Sequence, residues 1–396
     1  MKVAQINSVC DCGSTGRLCA DISEALNNNN IENRIFYGIG KSKLSNAIKI
    51  SSDLYVKINI LKTRIFGSHA FYSHIATLRL IRYLDEFRPT IVHLHQIHGH
   101  YLNIELLISY LKRKKIPLII TLHDCWLLTG HCTHFSKVKC DKWKKGCGNC
   151  PQTREYPVSL LFDKSASNWR RKKRVFDSLD NVTFVCVSTW LEKLAQESYL
   201  RGKDILTVYN GIDTNIFSSD NIKRDNKKFV ILGMAGKWLE KENEEASTYL
   251  INAAENEEDI EIWLIGTNKK FQSTCVKTIE YISSQEEIAK YYSRADVFVN
   301  LSHEDSFGLV SAEALACGTP VVCYNATALP EIVGENGECG YYVEDFNYVD
   351  IWKKIIQIKE KGKDSYSLKC RKRVMNNFDK DKMCNKIIEL YQAKEK

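Results

Sequence analysis

The chain has 396 residues and a mass of 45.5 kDa, more than one core comfortably holds and natural for two domains. With 44% hydrophobic and 26% charged residues and no run of 18 uninterrupted apolar positions, it is neither disordered nor an evident membrane-spanning chain. The net charge of +8 divides unevenly: residues 1–215 carry 31 Lys and Arg against 18 Asp and Glu (+13), and the remainder carries −5.

A basic half points to an anionic partner: nucleic acid, an anionic membrane surface or a phosphorylated small molecule. In chain order, residues 1–7 read as a first strand, since they lack the apolar core and cleavage region of a signal peptide. Without such a peptide the 15 cysteines are expected as thiols and metal ligands rather than as a disulfide framework. Short β-branched runs predict strands at 3–9, 34–38, 91–95, 118–123, 182–188 and 205–209, then at 229–233, 260–265, 297–301, 320–324 and 340–343. Most are apolar on both faces and alternate with helical patterns, which predicts two doubly wound α/β domains with a cleft between them. The expected division is 1–217, 218–380 and a final helix within 381–396, with the junction in the polar stretch 218–228.

Ligands of such sheets sit beyond the strand ends, so those residues carry the argument. After the first strand comes Gly13-Ser14-Thr15-Gly16, leading into a helix whose amides suit an anion; a simple tight turn explains the same residues. The loop is neither a dinucleotide fingerprint nor a P-loop. His93, His95, His98 and His100 surround the third strand's end without accompanying carboxylates, which favours polar contacts over a catalytic metal. His123-Asp124 ends the fourth strand and suits a sugar hydroxyl or acid–base work, or a His satisfied by backbone.

Within a Cys-rich loop at 125–150, Cys132, Cys140, Cys147 and Cys150 include a C-x-x-C turn. That pattern fits a structural zinc; free thiols and disulfides are the alternatives. The second half holds its densest signal at 302–320. A helix is expected to start near Phe307, offering amides to a diphosphate, with Glu313 two turns on at the distance for a ribose diol. Helix capping explains Asp305 and Ser306 but not the whole run.

The run Asp305-x7-Glu313, followed by Ala314-Leu315-Ala316-Cys317-Gly318-Thr319-Pro320, resembles the E-x7-E signature of glycosyltransferase family 4. Gly13–Gly16, His123-Asp124, Asn210-Gly211-Ile212-Asp213 and Leu329-Pro330-Glu331 fall in the family's order, so the resemblance covers essentially the whole chain. It implies a GT-B fold and a retaining transfer from a nucleotide diphosphate sugar. The Cys-rich loop is similar to one in a bacterial subgroup that builds surface polysaccharides.

Carried over, the resemblance places Glu313 on the donor ribose. Asp305, Ser306 and the amides of Phe307, Gly308 and Leu309 fall on the transferred sugar, and His123 near the reaction centre. Gly16 and Glu331 frame the donor site. Gly13, Ser14, Thr15, His95, His98, Asp124 and Asn210 are expected on the acceptor side. Two departures stand out: the first acid is Asp305, with Glu304 one residue away, and the family's basic pair is missing, leaving Lys241 and then Lys237 for the diphosphate.

The implied reaction needs no cofactor, and the one D-x-D, Asp379-Lys380-Asp381, lies away from the strand ends, so no catalytic metal is expected. The implied acceptor is a saccharide, free or linked to polyprenyl diphosphate, with peripheral contact to an anionic membrane and a cytoplasmic location at its inner face. A nucleic-acid partner is not expected, because it leaves the 305–313 run unexplained. The rival readings are a catalytically silent GT-B scaffold and a nucleotide-sugar epimerase.

Overall fold

The computed structural model describes residues 1–219 and 226–395. Runs such as Leu-Ile-Ile-Thr-Leu at 118–122 are buried at every position, as strands covered on both faces of a parallel sheet must be. The first unit contains β1 (Lys2–Asn7), β2 (Glu32–Tyr37), β3 (Ala47–Lys49), β4 (Ile91–Leu94), β5 (Leu118–Leu122), β6 (Val182–Cys186) and β7 (Asp204–Thr207). They lie in the order β3-β2-β1-β4-β5-β6-β7 and pair in parallel. The helices between them are α1 (Gly13–Asn28), α2 (Asp53–Phe66), α3 (His74–Phe87), α4 (Ile104–Lys114), α5 (Ser165–Asp177) and α6 (Thr189–Glu197).

The second unit repeats the plan. Its strands are β8 (Phe229–Met234), β9 (Ile260–Ile265), β10 (Val276–Ile279), β11 (Val297–Asn300), β12 (Val321–Tyr324) and β13 (Gly340–Val343), ordered β10-β9-β8-β11-β12-β13 and parallel. Its helices are α7 (Ala235–Trp238), α8 (Glu244–Glu255), α9 (Gln285–Arg294), α10 (Leu309–Ala316), α11 (Leu329–Val333), α12 (Tyr348–Lys361) and α13 (Asp364–Asn377). Two strands escape the sequence reading: β3 has three residues, and β10 is a half-exposed edge strand whose Lys277 interrupts its apolar run.

The units are Met1–Tyr209 with the chain from Met383 onward, and Asn210–Lys382. The first division thus falls before the expected residue 217. Residues 210–217 pack on the second unit: Ile212 N donates to Phe378 O at 2.7 Å, Arg371 donates to the carbonyls of Thr214 and Phe217, and Lys380 Nζ meets Asp213 Oδ2 at 2.6 Å. The predicted junction at 218–228 lies partly outside the described residues.

The final helix, α14 (Lys380–Glu395), has its start tied by Asp379, whose Oδ1 accepts from the amides of Asp381 and Lys382. From Met383 it belongs to the first unit, burying Met383, Cys384, Ile387, Ile388 and Tyr391 against Val3, Ile91, Ile119 and Val185. The helix therefore closes one face of the first sheet. Ile387→Ala should lower stability by about 2–4 kcal/mol, measured by urea denaturation. A loss below about 1 kcal/mol would mean that the helix contributes little to that core.

Candidate active site

In the first sheet the crossovers change direction between β1 and β4, the point where an α/β sheet opens a crevice past its strand ends. Asn7, the last residue of β1, stitches that point together. Its Nδ2 donates to Val9 O (2.9 Å) and Thr15 Oγ1 (3.2 Å), and its Oδ1 accepts from Gln96 N at 3.1 Å. Gly13, Ser14, Thr15 and Gly16 form the first turn of α1. A Cβ on Gly16 would meet Val9 Cγ2 at 3.1 Å and the backbone of Cys10 and Asp11 at 3.3 Å, so glycine lets the helix start close tightly on its own loop.

Beyond β4 and β5, His95, Gln96, His98, His123 and Asp124 line one small pocket. The structure thus gathers three of the seven residues expected on the acceptor side, His95, His98 and Asp124, with His123. The adjacent His123 and Asp124 nevertheless serve separate networks. His95 Nδ1 faces His123 Nε2 at 3.4 Å, whereas Asp124 Oδ2 meets His98 Nε2 at 2.8 Å and its Oδ1 accepts from Trp126 N at 2.8 Å. Burial pushes His123 down to about 4, so this imidazole is neutral near pH 7. Burial works against the Asp124 carboxylate, but the His98 charge and hydrogen bond outweigh it and hold Asp124 at about 2.

The cysteine cluster follows His123-Asp124 in the chain. Cys132, Cys140, Cys147 and Cys150 line a common cavity with His131, and Gly130 N donates to Cys147 Sγ at 3.1 Å. Burial pushes the Cys132 thiol up to about 12 and that of Cys147 to about 11, so both carry protons that a metal would have to displace. Among the described residues no disulfide forms, and no group of three or more His, Cys, Asp or Glu is arranged to hold a metal ion. The donor set has the chemistry of a zinc site but lacks its convergence. Against this cluster lies Lys172, fully buried, its Nζ over the Trp126 ring at 3.6 Å and donating to Trp126 O.

The second sheet changes direction between β8 and β11, and the 302–309 segment leaves the end of β11 there. Asp305 Oδ1 accepts from the amides of Phe307 (3.1 Å) and Gly308 (2.8 Å), while Asp305 N donates to Thr327 Oγ1 at 2.9 Å. Asp305 thus meets both of the amides expected on the transferred sugar, and these bonds shape the turn. The helix α10 starts at Leu309 rather than near Phe307 for the same reason. Gly308 takes φ +98°, and a Cβ there would meet Leu329 Cδ2 at 3.0 Å. Ser306 and Phe307 are buried inside the turn.

Glu313 stands half-buried on α10, its Oε2 accepting from Tyr292 OH at 3.1 Å. Glu331 lies in α11, where Arg373 Nη2 donates to its carbonyl at 2.6 Å. Lys237 is engaged by Glu240 at 2.9 Å, and exposed Lys241 borders an open groove of about 570 Å³ between α8 and residues 269–273. Asn210, expected on the acceptor side, is the first residue of the second unit, and its motif fixes the return of the chain at Phe378–Lys380.

His303 is a residue the sequence reading passed over. Its ring stacks between Tyr324 (4.7 Å) and Phe346 (4.0 Å), with Nδ1 on Asp345 Oδ1 at 2.6 Å and Nε2 on Asn243 Oδ1 at 2.9 Å. Asn243 in turn donates to Lys237 O and Leu301 O, both at 2.9 Å, tying the exit of β8 to that of β11. A lone His beside two acids carries no spacing signal that would have exposed this role.

The family model for "Glycosyltransferase Family 4" matches residues 15–216, and that for "Glycosyl transferases group 1" matches residues 206–377. The chain belongs to glycosyltransferase family 4. It is a glycosyltransferase of the GT-B α/β fold. One relative, named as the colanic acid biosynthesis glycosyl transferase WcaC of Escherichia coli (strain K12), is 22% identical over 358 residues, covering 85% of this chain and 86% of its own. Among solved structures, a glycosyltransferase from Rickettsia africae ESF-5 is similar at TM-score 0.69 and 15% identity, covering 100% of this chain and 98% of its own. Anabaena HepE in complex with UDP-glucose is similar at TM-score 0.66 and 13% identity, covering 99% and 100%.

In this glycosyltransferase the Asp124–His98 pair makes the fold sensitive to acid. Folded Asp124, near 2, sits below the roughly 3.9 of an unfolded Asp, so its ionisation stabilises the fold above about pH 4 and that contribution is lost as pH falls toward 2. Asp124→Asn should lose about 2 kcal/mol at pH 7 and show a flatter stability curve between about pH 4 and 2. Urea denaturation across that range measures both.

Proposed function

We propose that this chain transfers a glycosyl group, with retention, from a uridine or related nucleoside diphosphate sugar to a saccharide acceptor in surface-polysaccharide assembly. The observation that carries the reading is the second unit's switch point, where the Asp305 turn leads into α10 and sets Glu313 at one helix's reach from the strand ends. A helix start favours a diphosphate, and a carboxylate about one turn on suits a ribose diol. The UDP-glucose in the HepE complex and the colanic acid relative support the donor and pathway class.

In this reading Glu313 takes the ribose, and the α10 start with Lys241 offsets charge on the leaving diphosphate. Tyr292 orients Glu313 by its hydrogen bond. Asp305 holds the turn against which the sugar rests. His123 is assigned to the reaction centre, and His95, His98 and the α1 start to the acceptor. Lys237, neutralised by Glu240, is the weaker diphosphate candidate.

The finer acceptor is a saccharide on a polyprenyl diphosphate, met at an anionic membrane surface. No helix among the described residues is long and apolar enough to cross a membrane. An exposed face supports surface contact instead. Leu54, Ile58 and Leu61 point outward along α2 beside exposed Lys57 and Lys62, and Leu160, Leu161 and Phe162 continue the patch. Leu160 N donates to Arg64 O at 2.7 Å and the Phe66 and Phe162 rings stack at 6.5 Å, so the two segments form one apolar and basic surface. Such a face matches an anionic bilayer.

Two experiments test these statements. With a panel of nucleotide sugars, wild-type protein should release nucleotide from at least one donor, and Glu313→Ala should lower that rate by about 100-fold or more with unchanged melting. Wild-type turnover in the variant would remove Glu313 from the donor site. In sedimentation with phosphatidylglycerol vesicles, wild-type protein should bind in a salt-sensitive manner and Leu54→Asp with Leu161→Asp should not; equal binding by both would refute the membrane face.

A further inference from the structure

Gln5 is a carboxamide at the middle of β1, fully buried among apolar neighbours. Its two polar atoms have different partners. Nε2 donates to Cys19 O at 3.1 Å, and Oε1 lies 3.2 Å from His95 Nε2. A backbone carbonyl only accepts, so the amide has one consistent orientation, with its oxygen toward His95. His95 Nε2 must then carry the hydrogen.

Burial, reinforced by His93 and His123, holds His95 well below the usual histidine range, so the ring has one N–H. With that hydrogen on Nε2, His95 Nδ1 is a lone pair. It faces His123 Nε2 at 3.4 Å, and the contact is favourable only when His123 Nε2 carries a hydrogen. His123 is neutral as well, so its Nδ1, across the ring, is left as an acceptor. His93 offers a contrast. Its partners are the hydroxyls of Tyr391 (2.6 Å) and Thr121 (2.7 Å), which donate or accept by rotation and so impose no tautomer.

We propose that Gln5 and His95 are positioning residues that fix the tautomer of His123, so that His123 presents Nδ1 to the substrate as a hydrogen-bond acceptor. This rests on the reading that His123 faces the reaction centre, and it adds which nitrogen does so and what determines it. The acceptor nitrogen suits a sugar hydroxyl, which donates its proton in the hydrogen bond. The opposite tautomer would turn an N–H toward the same group and require that hydroxyl to accept instead.

The full-length protein, labelled with nitrogen-15 at histidine, tests this by long-range proton–nitrogen correlation. Wild-type His123 should show a single tautomer protonated at Nε2; protonation at Nδ1 would overturn the proposal. Gln5→Met removes the fixed acceptor at similar volume. It should convert His123 to a mixture of tautomers and lower kcat roughly tenfold, with donor KM within about twofold. A slower variant with an unchanged His123 spectrum would overturn the relay. Mixed tautomers with wild-type kcat would uphold the relay and refute the placement of His123 at the reaction centre. Should Gln5→Met fail to fold, the wild-type spectrum alone decides.

Discussion

Parallel strands deliver their carboxyl ends to one edge of a sheet, and a useful crevice arises only where neighbouring crossovers leave in opposite directions. Both units of this glycosyltransferase depend on keeping that point open yet rigid, and both use a buried asparagine for it. Asn7 joins the exit of β1 to Gln96 beyond β4. Asn243 joins the segment after β8 to Leu301 beyond β11. Asn7 uses the donating and the accepting side of its carboxamide and Asn243 uses both amide hydrogens, so in each unit one side chain satisfies backbone groups from two strand exits at once. Each bond contributes only about 1 kcal/mol net, but leaving such buried groups unpaired costs more, so the exits are held where the pairing requires.

The basic first half looks different once its charges are located. The 170–174 run is divided: Lys172 is buried over Trp126 and Arg171 pairs with Glu105 at 2.5 Å, while Arg170, Lys173 and Arg174 are exposed. Lys114 meets Asp85 and Lys144 meets Glu197. Burial pushes Lys172 down to about 7, with the nearby thiols and Asp124 opposing the shift. The excess charge therefore acts locally, and the lysines of α2 matter because they stand among exposed apolar side chains rather than because of the total.

Strand positions were legible because strands covered on both faces must be largely apolar, and all eleven predicted runs sit within one or two residues of their elements. The edge strands β3 and β10, short or half-exposed, lack that constraint. Loop chemistry was legible by residue type and illegible by partner. Spacing marked Asp305 and Glu313, yet only coordinates reveal that Asp305 turns back on its own amides while Glu313 meets Tyr292, which is remote in sequence. Likewise four cysteines in one loop announce a cluster, whereas the groups that line the cavity with them, His131 and Trp143 among them, are not legible in the spacing. Gln5 gives no motif at all, because its partners Cys19 and His95 lie on two other elements.

The aspartate in place of glutamate at 305 then has a physical reading. An Asp side chain is short enough to accept from amides two and three residues ahead, closing a turn of its own. The extra methylene of Glu would carry the carboxylate past those amides and leave them to another acceptor. With Asp, the turn before α10 is set in advance by the protein, and Gly308 completes it with a backbone that a side chain would strain. Dipoles fixed before the substrate arrives need no reorganisation when charge develops on a leaving group. The shorter side chain thus gives a helix start whose turn is closed by the protein's own carboxylate.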